Sequence, residues 1–424
     1  MTTTDTTTPP DSATRLPRPV ILLGWVSFLA DVSSEMVYPL IPMFVVGVLG
    51  ASATTLGGIE GGAALVVAFV TAWAGFRSDR HRRRVPYVRI GYGLPVIGKS
   101  LMALAFAWPM VLTGRLIDRL GKGLRASPRD ALIADAAGPA IRGRAFGFHR
   151  AMDTAGAMVG VLLAAGLLWW FTGSPAEADA AATPVHGTGW AFRVVFGISA
   201  ALGLLSLALT FLVRESEAPA QVATPKRPAP AGRLGLPGSY WRTVAIVLVF
   251  SLANSSDAFL LLRAREVGLS PWAVVLAYAL FNLTYSVISY PAGLMSDRLG
   301  RWRVIALGWA IYAAVYAGFA FTGLAWGAAG IWPLLALYGV YMALTDGVSK
   351  ALVADHAPLE KRGTALGIFY MASGLVTLLA SIVAGVLWDR VGPSATFGAG
   401  AVVAVIAVVL VPVLRPRATV AGRP

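Results

Sequence analysis

Ala131-Leu132-Ile133-Ala134-Asp135 closes one apolar stretch of the chain and returns in its second half as Ala351-Leu352-Val353-Ala354-Asp355. At the same offset, Arg142-Gly143 is matched by Arg362-Gly363, and Ala145 with Gly147 by Ala365 with Gly367. A second pair, Gly75-Phe76-Arg77-Ser78-Asp79-Arg80 and Gly293-Leu294-Met295-Ser296-Asp297-Arg298, stands at nearly that spacing. Self-similarity over such a distance marks a duplicated architecture. Two six-helix units packed about an axis along a membrane normal account for it economically.

The composition around these repeats points the same way. The 424 residues are 57% hydrophobic and only 13% charged, with a mean hydropathy of +0.69, where soluble domains carry about 25% charge. Such a chain cannot fold around one apolar interior with a charged exterior, so a polytopic membrane protein is expected. Twelve spans can be drawn, at 20–48, 56–76, 87–107, 109–135, 144–171, 190–213, 240–263, 270–294, 302–322, 329–356, 363–387 and 393–414. The expected fold class is all-α: twelve transmembrane helices in two pseudo-symmetric six-helix halves, 18–213 and 239–414. A disordered cytoplasmic N-terminus at 1–17 precedes them. A flexible cytoplasmic linker at 214–238, rich in Pro, Ala and Gly, joins them, and a short cytoplasmic tail follows at 415–424.

Charge sets the orientation. Five arginines lie between Arg77 and Arg84, and the links around Arg142 and around Lys361 are also basic. The longest opposite link, 172–189, carries Glu177 and Asp179 with no Lys or Arg. The positive-inside rule then places both termini in the cytoplasm. The net charge of +14 is spent on this topology, and no zinc-finger spacing or aromatic-basic pattern suggests a nucleic-acid partner. Met1 to Asp11 is Thr-rich and polar and lacks a signal-peptide core, so the first apolar span is expected to stay in the mature protein. Cysteine is absent, which removes disulfides, thiolate metal sites and a cysteine nucleophile.

With these residues in view, the chain resembles the major facilitator superfamily across 18–414. The link after the second span looks like that family's signature loop, through Gly75, Asp79 and Arg80, and its counterpart is Gly293, Asp297, Arg298, Gly300 and Arg301. The fourth span resembles the family's arginine motif through Arg119 and Gly123. Lys122 stands there in a usually uncharged polar slot and Arg125 in a usually small one. Gly156 and Gly160 mark the fifth span, without the proline of the familiar antiporter motif. The resemblance implies a secondary transporter of a bacterial inner membrane that works by alternating access. Its Asp79–Arg80 and Asp297–Arg298 pairs would form a cytoplasmic gate.

Charge at membrane depth is expensive and so marks candidate sites. The fourth span carries Arg115, Asp118, Arg119, Lys122 and Arg125 at three- and four-residue steps, followed by Arg129 and Asp130. The first span carries Asp31 and Glu35, four apart on one helical face. Helix rise places Lys122 and both acids near mid-membrane, so facing stripes are expected to wall a wet cavity that binds substrate or protons. Arg129 and Asp130 are expected to pair structurally near the cytoplasmic end. Asp257, after Asn254, Ser255 and Ser256, and Asn282, on a polar face with Tyr278, Tyr285, Ser286 and Ser289, extend the candidate site. His149, Arg150, Asp153 and Asp346 are candidates for a proton or gating relay, with Lys350 placed to pair with Asp346.

No ATP-binding fingerprint is present and the four histidines show no ligand spacing, so no cofactor or resident metal is expected and a proton gradient is the energy source. The expected function is proton-coupled export of a small organic solute by antiport, with protons, substrate and membrane lipids as partners and a monomer as the working unit. Proton-coupled uptake of an organic anion, through symport, competes with it. Metal-ion transport by Asp31, Glu35 and Asp257 would be opposed by Arg119 and Lys122. A sensor or scaffold without flux is the alternative of another class. No nucleophile–base constellation suggests an enzyme.

Overall fold

The computed structural model describes residues 16–81, 83–172, 189–215, 235–325, 327–358 and 362–416. Most of the N-terminal extension, the outer link after Thr172, most of the 214–238 linker and the end of the tail lie outside the described residues, as do the side chains of Asp79 and Arg80. All regular structure among the described residues is helical. Lipid offers backbone groups no hydrogen-bond partners, so long apolar runs satisfy their own as helices. The helices are α1 (Arg18–Val37), α2 (Ala53–His81), α3 (Val85–Ala103), α4 (Trp108–Thr172), α5 (Gly189–Thr210), α6 (Gly238–Ala253), α7 (Ala258–Glu266), α8 (Pro271–Leu299), α9 (Arg301–Ala325), α10 (Ile331–Asp355), α11 (Arg362–Arg390) and α12 (Pro393–Leu414).

Proline in the first turn, where its missing N–H costs nothing, starts α1, α3, α8 and α12. Gly300 (φ 89°) and Gly392 (φ 119°) make the turns after α8 and α11, with backbone conformations that side-chain-bearing residues rarely adopt. Beyond Val37, Pro39 and Pro42 end the regular α1 helix; a 3₁₀ turn and a π-helical turn (Met43–Val48) carry the chain onward. Large apolar side chains such as Phe69, Trp73, Phe76, Val287 and Val383 remain exposed on the outer surface, as lipid contact requires.

Among the described residues, ten helical stretches are long and apolar enough to cross a membrane. The expected spans 87–107 and 109–135 are helical yet fall outside those ten. Arg89 and Lys99 interrupt the first, and the charge run from Arg115 to Arg129 occupies the second. The fourth and fifth expected spans also form one helical run of 65 residues, where a separating link was expected around Arg142. Straight, it would reach about 100 Å, three times the hydrocarbon thickness of about 30 Å. Packing shows how it fits. Gly114 and Gly121 lie against Gly98 and Gly91, so the first limb runs antiparallel to α3. Gly156 and Gly160 lie against Phe28 and Val32, so the second limb runs parallel to α1. Ser27 meets Tyr92 and Ser33 meets Lys99, which makes α1 parallel to α3. The two limbs therefore oppose each other, and the chain reverses between them.

α6 and α7 form one expected span broken at 254–257. Asn and Ser side chains compete there for backbone groups. The Ser381 hydroxyl accepts from the Ser256 N–H at 3.1 Å, and the Tyr312 hydroxyl donates to the freed Ala253 carbonyl at 2.6 Å.

The N-terminal and C-terminal helices meet where α2 packs on α11 and α4 on α8. A methyl group on Gly57 would lie 2.1 Å from the Ser381 carbonyl oxygen, and one on Gly385 2.5 Å from Thr54 Cα, so only glycine permits this closeness. Asp389, at the end of α11, caps the start of α2. Its carboxylate accepts from the Ala53 N–H (2.9 Å), the Thr54 N–H (2.8 Å) and the Thr54 hydroxyl (2.6 Å). Asp389→Ala is expected to cost about 1–2 kcal/mol at this seam. The check is maleimide labelling of a single cysteine at Leu378, in the same seam, which should become several-fold faster.

Candidate functional site

A cavity of about 840 Å³ lies between the two sets of helices, within the size range of small-molecule sites, about 300–1,000 Å³. Its N-terminal wall carries Asp31 and Glu35 of α1, Lys122, Arg125 and Arg129 of the first α4 limb, and Arg150 and Asp153 of the second. Facing them are Asn282, Tyr285 and Ser286 of α8 and Asp346 and Lys350 of α10. The lining extends to Asp297 and Arg301 at the end of the molecule opposite Asp389. The cavity is therefore open toward the signature-loop end and bounded toward the α2–α11 seam.

The helical periods explain which side chains converge. Asp31 and Glu35 are one turn apart, and Lys122, Arg125 and Arg129 follow three- and four-residue steps. Arg115, Asp118, Arg119 and Asp257 do not line the cavity. Arg115 is held by a doubly hydrogen-bonded ion pair with Glu60 of α2, at 2.8 Å for each contact, and lies 3.7 Å from Asp118. Asp118 also lies 3.2 Å from Arg119. Asp257, at the α6–α7 break, accepts a 2.6 Å hydrogen bond from Tyr338. Glu35 accepts a 3.0 Å hydrogen bond from Tyr278 across the divide between α1 and α8, and the Tyr278 ring packs on Tyr38, itself under the Arg115 guanidinium.

The relay candidates fall into two groups. His149 Nε2 lies 2.8 Å from the Ser27 hydroxyl and Nδ1 lies 3.5 Å from Asp153, while Tyr92 and Arg129 also reach Ser27. The order Ser–His–Asp is that of a hydrolase triad, but Ser27 is 2% exposed and enclosed by these partners, leaving no face for an acyl substrate. Across the cavity, Asp346 accepts from Tyr285 (3.0 Å) and Lys350 (2.8 Å). Arg129 pairs with Asp130 at 3.0 Å. Among the described residues, no group of three or more His, Asp or Glu side chains is arranged to hold a metal ion.

The family model for the Major Facilitator Superfamily matches residues 23–349 and 264–423. The chain belongs to that superfamily. An uncharacterized MFS-type transporter of Methanocaldococcus jannaschii is 34% identical over 397 residues, covering 92% of this chain and 93% of its own length. Among solved structures, the nucleoside transporter NupG superposes with a TM-score of 0.73 at 14% identity, covering 94% of this chain and all of that one. A D-xylose-proton symporter gives 0.70 at 18% identity, covering 94% and 97%. These two likenesses show the major facilitator fold. The protein is a multi-pass membrane transporter of small molecules, a secondary-active carrier of the alternating-access type rather than an enzyme.

The superfamily frame gives the repeats a physical role. Asp135 pairs with Arg84, just before α3, and Asp355 pairs with Arg301, at the start of α9. Each copy of the repeated Ala-Leu-(Ile/Val)-Ala-Asp segment thus ties its helix to the start of the corresponding helix in its own half. Arg301 also lies 3.8 Å from Asp297, while Arg298 is exposed. Two charged residues fall outside the charge-dense stretches of sequence. Glu60 is the lone charge of α2 before Arg77, and Lys99 donates to the hydroxyls of Ser33 (2.6 Å) and Ser34 (3.1 Å). Their signal was isolation itself, since a single charge in an apolar span is a candidate by default.

Proposed function

We propose that the protein is a proton-driven exporter of a small organic solute, with twelve membrane helices in two six-helix halves and both termini in the cytoplasm. The cavity described above is then the cytoplasm-facing form of the transport site, and Asp297 and Arg301 lie at its mouth. One observation carries this reading: the carboxylates of Asp31 and Glu35 line a charged cavity between the two sets of helices. A carboxylate in such a place exchanges protons with whichever side the cavity faces, because rocking changes both its hydration and its distance from nearby cations. Substrate release on one side is then linked to proton uptake there. The D-xylose-proton symporter fold likeness supports proton coupling as a property within reach of this architecture.

Lys122, Arg125 and Arg129 on the same wall favour a second reading, symport of an organic anion into the cell. Flux measured in everted vesicles with an imposed acid interior separates the two. Accumulation under that gradient supports exchange, and accumulation only under the opposite gradient supports symport.

The absence of cysteine gives a direct test of alternating access. Single cysteines are placed at Ser286 in the cavity and at Leu378 in the α2–α11 seam. Labelling by a membrane-impermeant maleimide is expected to be anticorrelated: conditions that slow one site several-fold quicken the other. Equal, condition-independent labelling of both would count against transport by rocking and favour a static scaffold.

A further inference from the structure

The charged side chains of the cavity divide into those already satisfied and those left over. Asp346 is paired with Lys350, Asp297 with Arg301, and Arg129 with Asp130. Arg125 is buried against α3, where it lies over the Tyr92 ring at 4.4 Å and donates to the Gly91 carbonyl at 3.2 Å; Asp153 Oδ2 lies 3.5 Å from His149 Nδ1, while its Oδ1 has no hydrogen-bond partner among the described residues. Four others open onto the cavity with no charged partner. Among the described residues, Asp31, Glu35, Lys122 and Arg150 have no ion-pair partner within 4.0 Å. Glu35 has the Tyr278 hydroxyl, and Lys122 is exposed into the cavity within electrostatic range of both acids.

Two negative and two positive charges therefore share one chamber without meeting. The four side chains are fixed to three stretches of packed helix: both acids to α1, Lys122 to the first limb of α4, and Arg150 to the second. Close glycine contacts between α1 and the second limb, and between α3 and the first, hold those stretches in place. The facing α8 wall supplies neutral hydrogen-bonding groups in Asn282, Tyr285 and Ser286. A solute carrying only an anionic group would gain at Lys122 and lose against Asp31 and Glu35. One carrying only a cationic group would do the reverse. A solute with one of each satisfies both sets at once.

We propose that the transported solute is zwitterionic: a small molecule bearing a protonated amine, held by Asp31 and Glu35, and a carboxylate or comparable anionic group, held by Lys122. This rests on the transporter reading above and names its substrate class. Arg150, nearer the mouth, attracts the same anionic group on entry.

The test uses the full-length protein in detergent, with its 13 tryptophans reporting unfolding. Probes are glycine, 4-aminobutyrate and 6-aminohexanoate, each matched with its amine-only, acid-only and neutral amide analogues. At least one zwitterion is expected to raise Tm by about 2 °C or more at a concentration well above its Kd, and its single-charge analogues are expected to give less than half of that rise. Lys122→Gln should turn the preference toward the amine-only analogue, and Asp31→Asn with Glu35→Gln toward the acid-only one. A merely structural role would not produce this reversal. A single-charge analogue that stabilises the wild type as strongly as its zwitterion would overturn the proposal, as would no response to any probe or an unchanged preference in the variants. None of those results bears on the paired-cysteine labelling experiment, so the substrate class can fail while alternating access stands.

Discussion

Replacing Glu60 with Gln is expected to destabilise the folded protein by about 3–5 kcal/mol. Arg115 and Glu60 are 3% and 6% exposed, and two parallel hydrogen bonds join them. Their mutual attraction offsets the desolvation of both. Removing one partner leaves the other charged and enclosed, which costs more than the pair itself contributes. Asp118, 3.7 Å from Arg115, holds the loss toward the lower end of that range. The measurement is denaturant unfolding in a mild detergent, read by tryptophan fluorescence. A Glu60→Gln, Arg115→Gln double variant should recover much of the loss, because no buried charge is then left alone. A single variant as stable as the wild type would mean that water reaches this pair and that Arg115 belongs to the wet chamber after all.

That pair also shows where sequence stops informing structure. The three- and four-residue steps from Arg115 to Arg125 place five charges on one face of a helix, and that much was legible. Spacing fixes direction around an axis but says nothing of which neighbour stands opposite each turn. α2 brings Glu60 to the level of Arg115, while α1 leaves Lys122 facing open space. The same limit appears at Asn254-Ser255-Ser256-Asp257. A polar stretch in an apolar span reads as cavity-facing, yet its physical effect is to break the helix, and Asp257 is held by Tyr338 outside the cavity lining. The repeats were legible because a paired contact has to be written twice: Asp135 with Arg84, Asp355 with Arg301. The reversal between 135 and 144 was legible too, from the basic residues around Arg142, but the helical continuity through it was not, since nothing in the local composition separates a helical bend from an ordinary link.

Neutralising Glu35 is expected to abolish the pH dependence of the conformational balance, the second large effect. Glu35 accepts the Tyr278 hydroxyl at 3.0 Å, and this contact joins α1 to α8 beside the packed Tyr38–Tyr278 rings. An ionised acceptor makes such a bond roughly twice as strong as a neutral one does. The ionised form therefore favours the arrangement seen here, open at the Asp297 end and closed at the Asp389 end. Protonation weakens the tie and favours the opposite form, so the seam should open as pH falls. As pH is lowered, the labelling ratio of cysteines at Leu378 and Ser286 should rise, reaching about tenfold once the carboxylate is protonated, the change that follows from about 1.4 kcal/mol of differential interaction. Glu35→Gln should flatten that response. Tyr278→Phe, which keeps the ring packing and the carboxylate but removes the donor, should flatten it as well. If Tyr278→Phe left the response intact while Glu35→Gln removed it, the carboxylate would act through its charge rather than through this bond. If neither changed it, the proton would act elsewhere, with Asp31 the next residue to replace.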